Sequence, residues 1–242
     1  MSHQQQLDIR KYGWTAVPRD RSNVPSADDV LGTVGGITDL EKLWPITDVT
    51  IKAREYAKNE LRTETYNHSL RVFCYGYQMI VQHFPDWISS AFFETWALTC
   101  LFHDIGTTPQ NMSSTHMSFE FQGGFIALTK LQEFGAPKVQ AESVAEATIR
   151  HQDPGQTGTI SAMGQLIQIA TEFERDNMGW QPHLVNREVI DAVTRQLPRL
   201  GWSNCFSTQI QKEIEEKPWC HTTAIPNFAE AVAGNELMKP YE

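Results

Sequence analysis

The tightest constraint on this chain is the stretch Leu101-Phe102-His103-Asp104-Ile105-Gly106. A histidine and an aspartate stand side by side at the end of an apolar helical run. Neighbouring side chains on a helix point about 100° apart and cannot aim at one spot. They converge only where the helix ends and the second residue swings out, and Gly106 supplies such an end. His103 continues the inward stripe of its helix, so the pair is expected to be buried. A buried aspartate without a cation is costly, because it loses its water and gains no partner. Upstream lies His68, in Tyr66-Asn67-His68-Ser69, and downstream an acidic pair, Glu174 and Asp176. Two imidazoles and two carboxylates aimed at one point repel unless a divalent ion sits between them. That donor set suits Zn, Fe or Mn better than Mg or Ca.

The rest of the chain reads as helices. Val49, Ala53, Tyr56, Ala57 and Leu61 follow Asp48, a possible cap. A turn is expected around Thr63–Tyr66, then a helix through Leu70, Phe73, Cys74, Tyr77, Ile80, Val81 and Phe84, with His68 in its first turn and Pro85 ending it. A third helix runs from about Ser90 to Asp104. Further helical spacing appears near residues 117–134, 138–151, 160–177, 186–197 and 206–215, and no strand pattern or repeat stands out. Residues 1–45 carry Pro18, Pro25, Gly32, Gly35, Gly36 and Pro45 and read as an irregular segment wrapped on the body, with Trp14 docked. Residues 46–242 then form a single all-α domain, closed by a packed C-terminal tail around Trp219–Thr223 and Leu237–Tyr241.

The net charge of −9 and the absence of a basic run argue against nucleic acid. The N-terminus lacks the pattern of a secretory signal, and no apolar run approaches a membrane span. Cys74, Cys100, Cys205 and Cys220 are scattered, without zinc-ribbon or redox spacing. A cytoplasmic, reduced protein with no membrane partner is expected, and a homo-oligomer is the expected assembly.

The order His, His-Asp, acid resembles that of the HD-domain metalloproteins, and most closely the fungal cyanamide hydratases among them. The resemblance runs through Gly13–Arg19, Glu64–Ser69, Thr95–Thr107, Met117–Glu120, Ile149–His151, Gly164–Gln168, Lys217–Thr223 and Lys239–Glu242. It implies a compact HD-type helical bundle around the His68, His103-Asp104 core. It also implies a zinc hydro-lyase, a cyanamide hydratase that adds a zinc-activated water to cyanamide and yields urea. Fe or Mn would be the less favoured ions. The implied metal ligands are His68, His103, Asp104 and a last acid, which family members carry in an Ala-Thr-x-x-Asp-Asn run. Here Ala170-Thr171 precedes Glu172-Phe173-Glu174-Arg175-Asp176-Asn177, so Glu174 fits without a gap and Asp176 with two inserted residues. Both lie on apolar faces and periodicity does not choose; Asp176 is preferred, because Asp-Asn-x-Gly stays a unit and a shorter side chain holds geometry better.

Hydrating a nitrile needs a nucleophilic water and a proton for the nitrogen. Asp104 is a candidate base, and Glu120 and His151 are candidate proton donors or substrate anchors. Thr107, Thr108 and Asn111, in the loop after the His-Asp pair, are candidate substrate-binding residues. Two other activities are compatible with the same core. A nucleotide phosphohydrolase would need Lys or Arg by the metal. None follows His103-Asp104 directly, which leaves Arg71 and Arg150. A dinuclear-iron oxygenase would draw further ligands from His116 and His151.

Overall fold

The computed structural model describes residues 2–26, 39–175 and 181–242. Twelve α-helices are present among them, with one short two-stranded sheet. In chain order the elements are α1 (His3–Lys11), β1 (Ala16–Pro18), α2 (Leu40–Leu43), α3 (Asp48–Glu60), α4 (Thr63–His83), α5 (Ser90–Phe102), α6 (Pro109–Ser113), α7 (Phe119–Phe134), α8 (Lys138–Arg150), β2 (Thr159–Ser161), α9 (Ala162–Arg175), α10 (Arg187–Gln196), α11 (Trp202–Glu216) and α12 (Phe228–Ala233). No described helix is long and apolar enough to cross a membrane.

The central element is α4, which packs against α5, α9, α10 and α11. Its length of 21 residues carries Leu70, Phe73, Cys74 and Met79 into the core. Burying each large apolar side chain of this kind contributes about 1.5–3 kcal/mol. The crossing of α4 with α5 is close because Gly76 has no side chain: a Cβ there would meet the Trp96 ring at 2.1 Å. Trp96 is fully buried, and its indole N–H donates to the Phe73 carbonyl at 3.1 Å. This contact sets the spacing between the helix that carries His68 and the one that ends at His103.

Several local readings need correction. The stretch Thr63–Tyr66 is helix, not turn, so His68 lies in the second turn of α4. Polar Thr65 and Ser69 are buried there, which hid the start of the helix from an apolar pattern. Thr47, not Asp48, caps α3; its side chain accepts from Thr50 N, and the Thr50 side chain answers the cap backbone. Helix α11 begins at Trp202, four residues earlier than its apolar spacing indicated, after Gly201 at φ +72°.

The N-terminal segment is not wholly irregular. Helix α1 buries no residue, so no apolar stripe announced it; a capping box between Ser2 and Gln5 and a Gln4–Asp8 bond support it. Strand β1 pairs antiparallel with β2, setting Val17 opposite Ile160. Three-residue strands are too short to show alternation in sequence. Trp14 docks by donating to the Val139 carbonyl at 3.1 Å. Residues 27–38 lie outside the described residues.

The main hydrophobic core runs through α3, α4, α5, α8 and α9. A second cluster gathers Phe119, Trp202, Phe206, Ile210, Phe228 and Val232 around α11 and α12. His68 stacks directly on Trp202, so the candidate site lies on the seam between the two.

Candidate metal centre

His68 projects from α4, while His103 and Asp104 follow the last turn of α5, where the helix gives way to a short 3-10 turn over Ile105–Thr107. The three side chains are all buried. His68 Nε2 lies 3.1 Å from His103 Nε2. Asp104 Oδ2 lies 3.4 Å from the first and 3.3 Å from the second. Among the described residues, these three form the group of donors able to share a metal ion.

Hydrogen bonds at the far side of each ring fix the tautomers. His68 Nδ1 stands 2.6 Å from Glu174 Oε2. An ionised carboxylate only accepts, so Nδ1 carries the proton and Nε2 keeps its lone pair. His103 Nδ1 stands 2.8 Å from the Cys100 carbonyl, with the same result. Two nitrogen lone pairs thus face each other across 3.1 Å, and both Asp104 carboxylate oxygens are buried with no hydrogen-bond partner. In the absence of a cation this arrangement is repulsive and unsatisfied. With one, it fits: ligand bonds of about 2.0–2.1 Å in a tetrahedron place neighbouring ligand atoms about 3.3 Å apart. The residues therefore suit a divalent metal.

The electrostatics agree. Burial pushes the His68 imidazole down to about 4, outweighing the carboxylates of Glu174 and Asp104, so the ring is neutral near pH 7. Burial alone would raise Asp104, but positive charge at the neighbouring imidazoles of His103, His68 and His151 holds its carboxyl well below the usual carboxylate range, and a cation between the neutral rings would act in the same direction. Burial also opposes ionisation of Glu174, and Arg199, Arg71 and His68 together overcome it and depress its pKa. Both carboxylates are accordingly charged.

The comparisons with known proteins point the same way. The HD-domain family model matches residues 65–178, which includes the whole described donor group. The cyanamide hydratases DDI2 and DDI3 of Saccharomyces cerevisiae are each 37% identical to this chain over 230 residues, covering 94% of it and 98% of either yeast protein. The chain belongs to the same family as these two hydratases and carries an HD domain over residues 65–178.

Within this HD-domain core, Glu174 takes a different place from a ligand. Its Oε2 accepts from His68, and its Oε1 accepts from Arg71 Nε at 2.6 Å and from Arg199. Both oxygens are engaged behind the donor group. Asp176 falls outside the described residues. His151 ends α8 with Nδ1 2.6 Å from the Thr148 carbonyl, and its Nε2 lies 3.8 Å from Asp104 Oδ1. The His103 and His151 rings meet edge to face at 5.3 Å. Glu120, the second residue of α7, is fully buried but pairs with His221, whose Nδ1 is 2.8 Å from Oε1.

Thr107, Thr108 and Asn111 build the turn that presents Asp104. Thr107 Oγ1 donates to the Asp104 carbonyl at 2.7 Å, and Asn111 Nδ2 donates to the Ile105 carbonyl at 2.8 Å. Thr108 caps α6 by accepting from Asn111 N. Of the groups named for other activities, Arg71 pairs with Glu174, Arg150 with Glu146 and Asp153, and His116 is exposed beside Trp219, whereas His151 lies next to Asp104.

Arg199 and Trp202 are part of the site's surroundings, and sequence reasoning missed both. Trp202 stacks on His68 with centroids 3.9 Å apart and planes 12° from parallel. Arg71 carried a usable signal, being a cation three residues after His68 and so on the same helix face. Arg199 carried none, since it lies between helices.

Proposed function

We propose that this chain hydrates a small nitrile, cyanamide, to urea at a Zn2+ site held by His68, His103, Asp104 and Asp176. The observation that carries the metal reading is the facing of two unprotonated Nε2 atoms beside a buried carboxylate without hydrogen bonds. The similarity to the yeast cyanamide hydratases carries the substrate. Asp176 is favoured as the last ligand because both oxygens of Glu174 are taken by His68, Arg71 and Arg199.

When bound, the ion supplies Lewis acidity, which brings the pKa of a water down towards neutrality. The chain's own residues do the rest. In the reaction the water oxygen forms a bond to the nitrile carbon while one C–N π bond breaks. One proton leaves the water and one reaches the nitrogen, and the resulting isourea tautomerises to urea. We assign the movement of that proton to His151, whose Nδ1–H is held by the Thr148 carbonyl and whose Nε2 lies 3.8 Å from Asp104 Oδ1. Asp104 turns Oδ2 towards the two Nε2 atoms as a third ligand atom for the ion and, as a candidate base, stands near His151 through Oδ1. Glu120, with a buried Oε2 that has no hydrogen-bond partner, joins half-buried His221 as a path for protons to and from solvent. Thr107, Thr108 and Asn111 bound the substrate by shape, since their side chains support the backbone around Asp104.

The test is urea release from cyanamide by the zinc-loaded chain, with and without a chelator, alongside metal analysis. Urea formation that the chelator abolishes and Zn2+ restores, at one zinc per chain, is expected. Turnover that persists after complete metal removal would overturn the proposal, as would two irons per chain.

A further inference from the structure

Behind His68 lies a buried chain of charges. Arg199 is fully buried in the loop between α10 and α11, above the Trp202 ring at 5.3 Å. One of its terminal nitrogens donates to Glu174 Oε1 and the other to Ser203 Oγ at 2.8 Å. Its Nε donates to Glu242 Oε1 at 2.8 Å, and Ser203 Oγ donates to that same oxygen at 2.5 Å. A second tether comes from the same tail segment: Asn235 Nδ2 donates to the Glu174 backbone carbonyl at 3.1 Å. Residues 235–242 therefore grip Glu174 twice, once through its backbone and once through Arg199.

The charges explain why the second grip matters. Arg71 and Arg199 bring two buried positive charges to Glu174, which answers only one of them. Glu242 supplies the other negative charge, and its side chain is 28% exposed. Without it, a surplus positive charge would sit one residue away from a cation site. Glu174 would also be drawn towards an arginine with no other carboxylate, and away from its 2.6 Å bond to His68 Nδ1. Outer groups that orient a metal-binding histidine typically change metal affinity by about 10–100-fold when removed.

We infer that Glu242 and Arg199 are positioning residues for the metal centre: Glu242 holds Arg199, Arg199 holds Glu174, and Glu174 fixes the ring and tautomer of His68. This rests on the reading of His68 as a metal ligand. It makes the tail a functional part of a site that it never touches.

The experiment compares the full chain with Glu242→Gln and with Tyr241→Phe. The second variant cuts another bond of the same tail, from the Tyr241 hydroxyl to Asp191 Oδ1 at 2.5 Å, and leaves Arg199 alone. Zn2+ affinity is read by competition with a chelating dye, and the His68 Nδ1–H resonance is followed by NMR in the zinc-loaded protein. Glu242→Gln is expected to weaken Zn2+ binding roughly tenfold and to shift or broaden the His68 resonance. Tyr241→Phe should do neither. Zn2+ affinity and a His68 resonance unchanged in Glu242→Gln overturn the inference, and so does an equal loss in both variants, which would mean the tail merely anchors. A wild-type chain that binds no Zn2+ overturns the proposed function and this inference together; normal wild-type binding with an unaffected Glu242→Gln overturns the inference alone.

Discussion

Replacing Glu174 by Gln strikes the fold and the site at once, and the two effects separate by measurement. The carboxylate is fully buried and accepts from Arg71 Nε at 2.6 Å, from Arg199, and from His68 Nδ1 at 2.6 Å. Removing one partner of a buried ion pair costs roughly 3–5 kcal/mol, because a buried charge is left uncompensated. Arg199 keeps Glu242, and Arg71 keeps the carbonyls of Leu197 and Pro198 at 3.1 Å, so the lower end applies. For a chain of this size each kcal/mol moves the melting temperature by about 2–4 °C, so the metal-free variant should melt roughly 6–12 °C lower. Zinc affinity should fall about 10–100-fold as well, since the His68 ring loses its charged orienter. Acidification gives a second signature. Glu174 has its folded-state pKa depressed from 4.5, so its contribution is fully present above that pH and is lost as pH falls through the folded value. Between about pH 4.5 and pH 3 the wild type should therefore lose stability more steeply than Glu174→Gln. Asp176→Asn, in contrast, should lose zinc while the metal-free melting temperature stays near that of the wild type. If Glu174→Gln melts within about 2 °C of wild type and retains zinc normally, the buried cluster does not hold the site.

Three other outcomes follow from the geometry. His103→Ala removes the Nε2 that faces His68 and should abolish zinc content and urea formation together; normal turnover would refute the ligand assignment. His151→Ala should keep its zinc while kcat falls roughly 10²–10⁴-fold, the usual reach of a general acid–base group, and a change in KM alone would remove it from the proton path. Gly106→Ala would place a Cβ 1.9 Å from the Phe119 carbonyl oxygen, so urea denaturation should show a loss of about 1–3 kcal/mol or more. A loss below about 0.5 kcal/mol would mean that the turn after Asp104 does not approach α7 that closely.

What the sequence disclosed and what it hid divide along physical lines. Helices with apolar stripes were legible, as on α4 where Leu70, Phe73 and Cys74 repeat at three-four spacing. Elements held by polar contacts were not: α1 rests on its capping box, and the first turn of α4 buries Thr65 rather than a hydrophobe. The His103-Asp104 pair was legible because a carboxylate at the inward end of an apolar helix demands an explanation. The groups behind it were not, because support from Arg199 and Glu242 comes from parts of the chain with no periodic pattern, brought in only by tertiary packing. Periodicity alone also left Glu174 and Asp176 level, since it describes faces of a helix and not the arginines waiting opposite one of them.

The stack of Trp202 on His68 gives the protein a built-in optical gauge. An indole lying flat on an imidazole, with Phe206 also stacked on it at 5.1 Å, feels any change in that ring's electron density. Filling the site draws electrons out of the imidazole, and Trp202 emission should register it against the other six tryptophans of the chain. Loading, exchange and competition by ligands can then be followed in real time without a label.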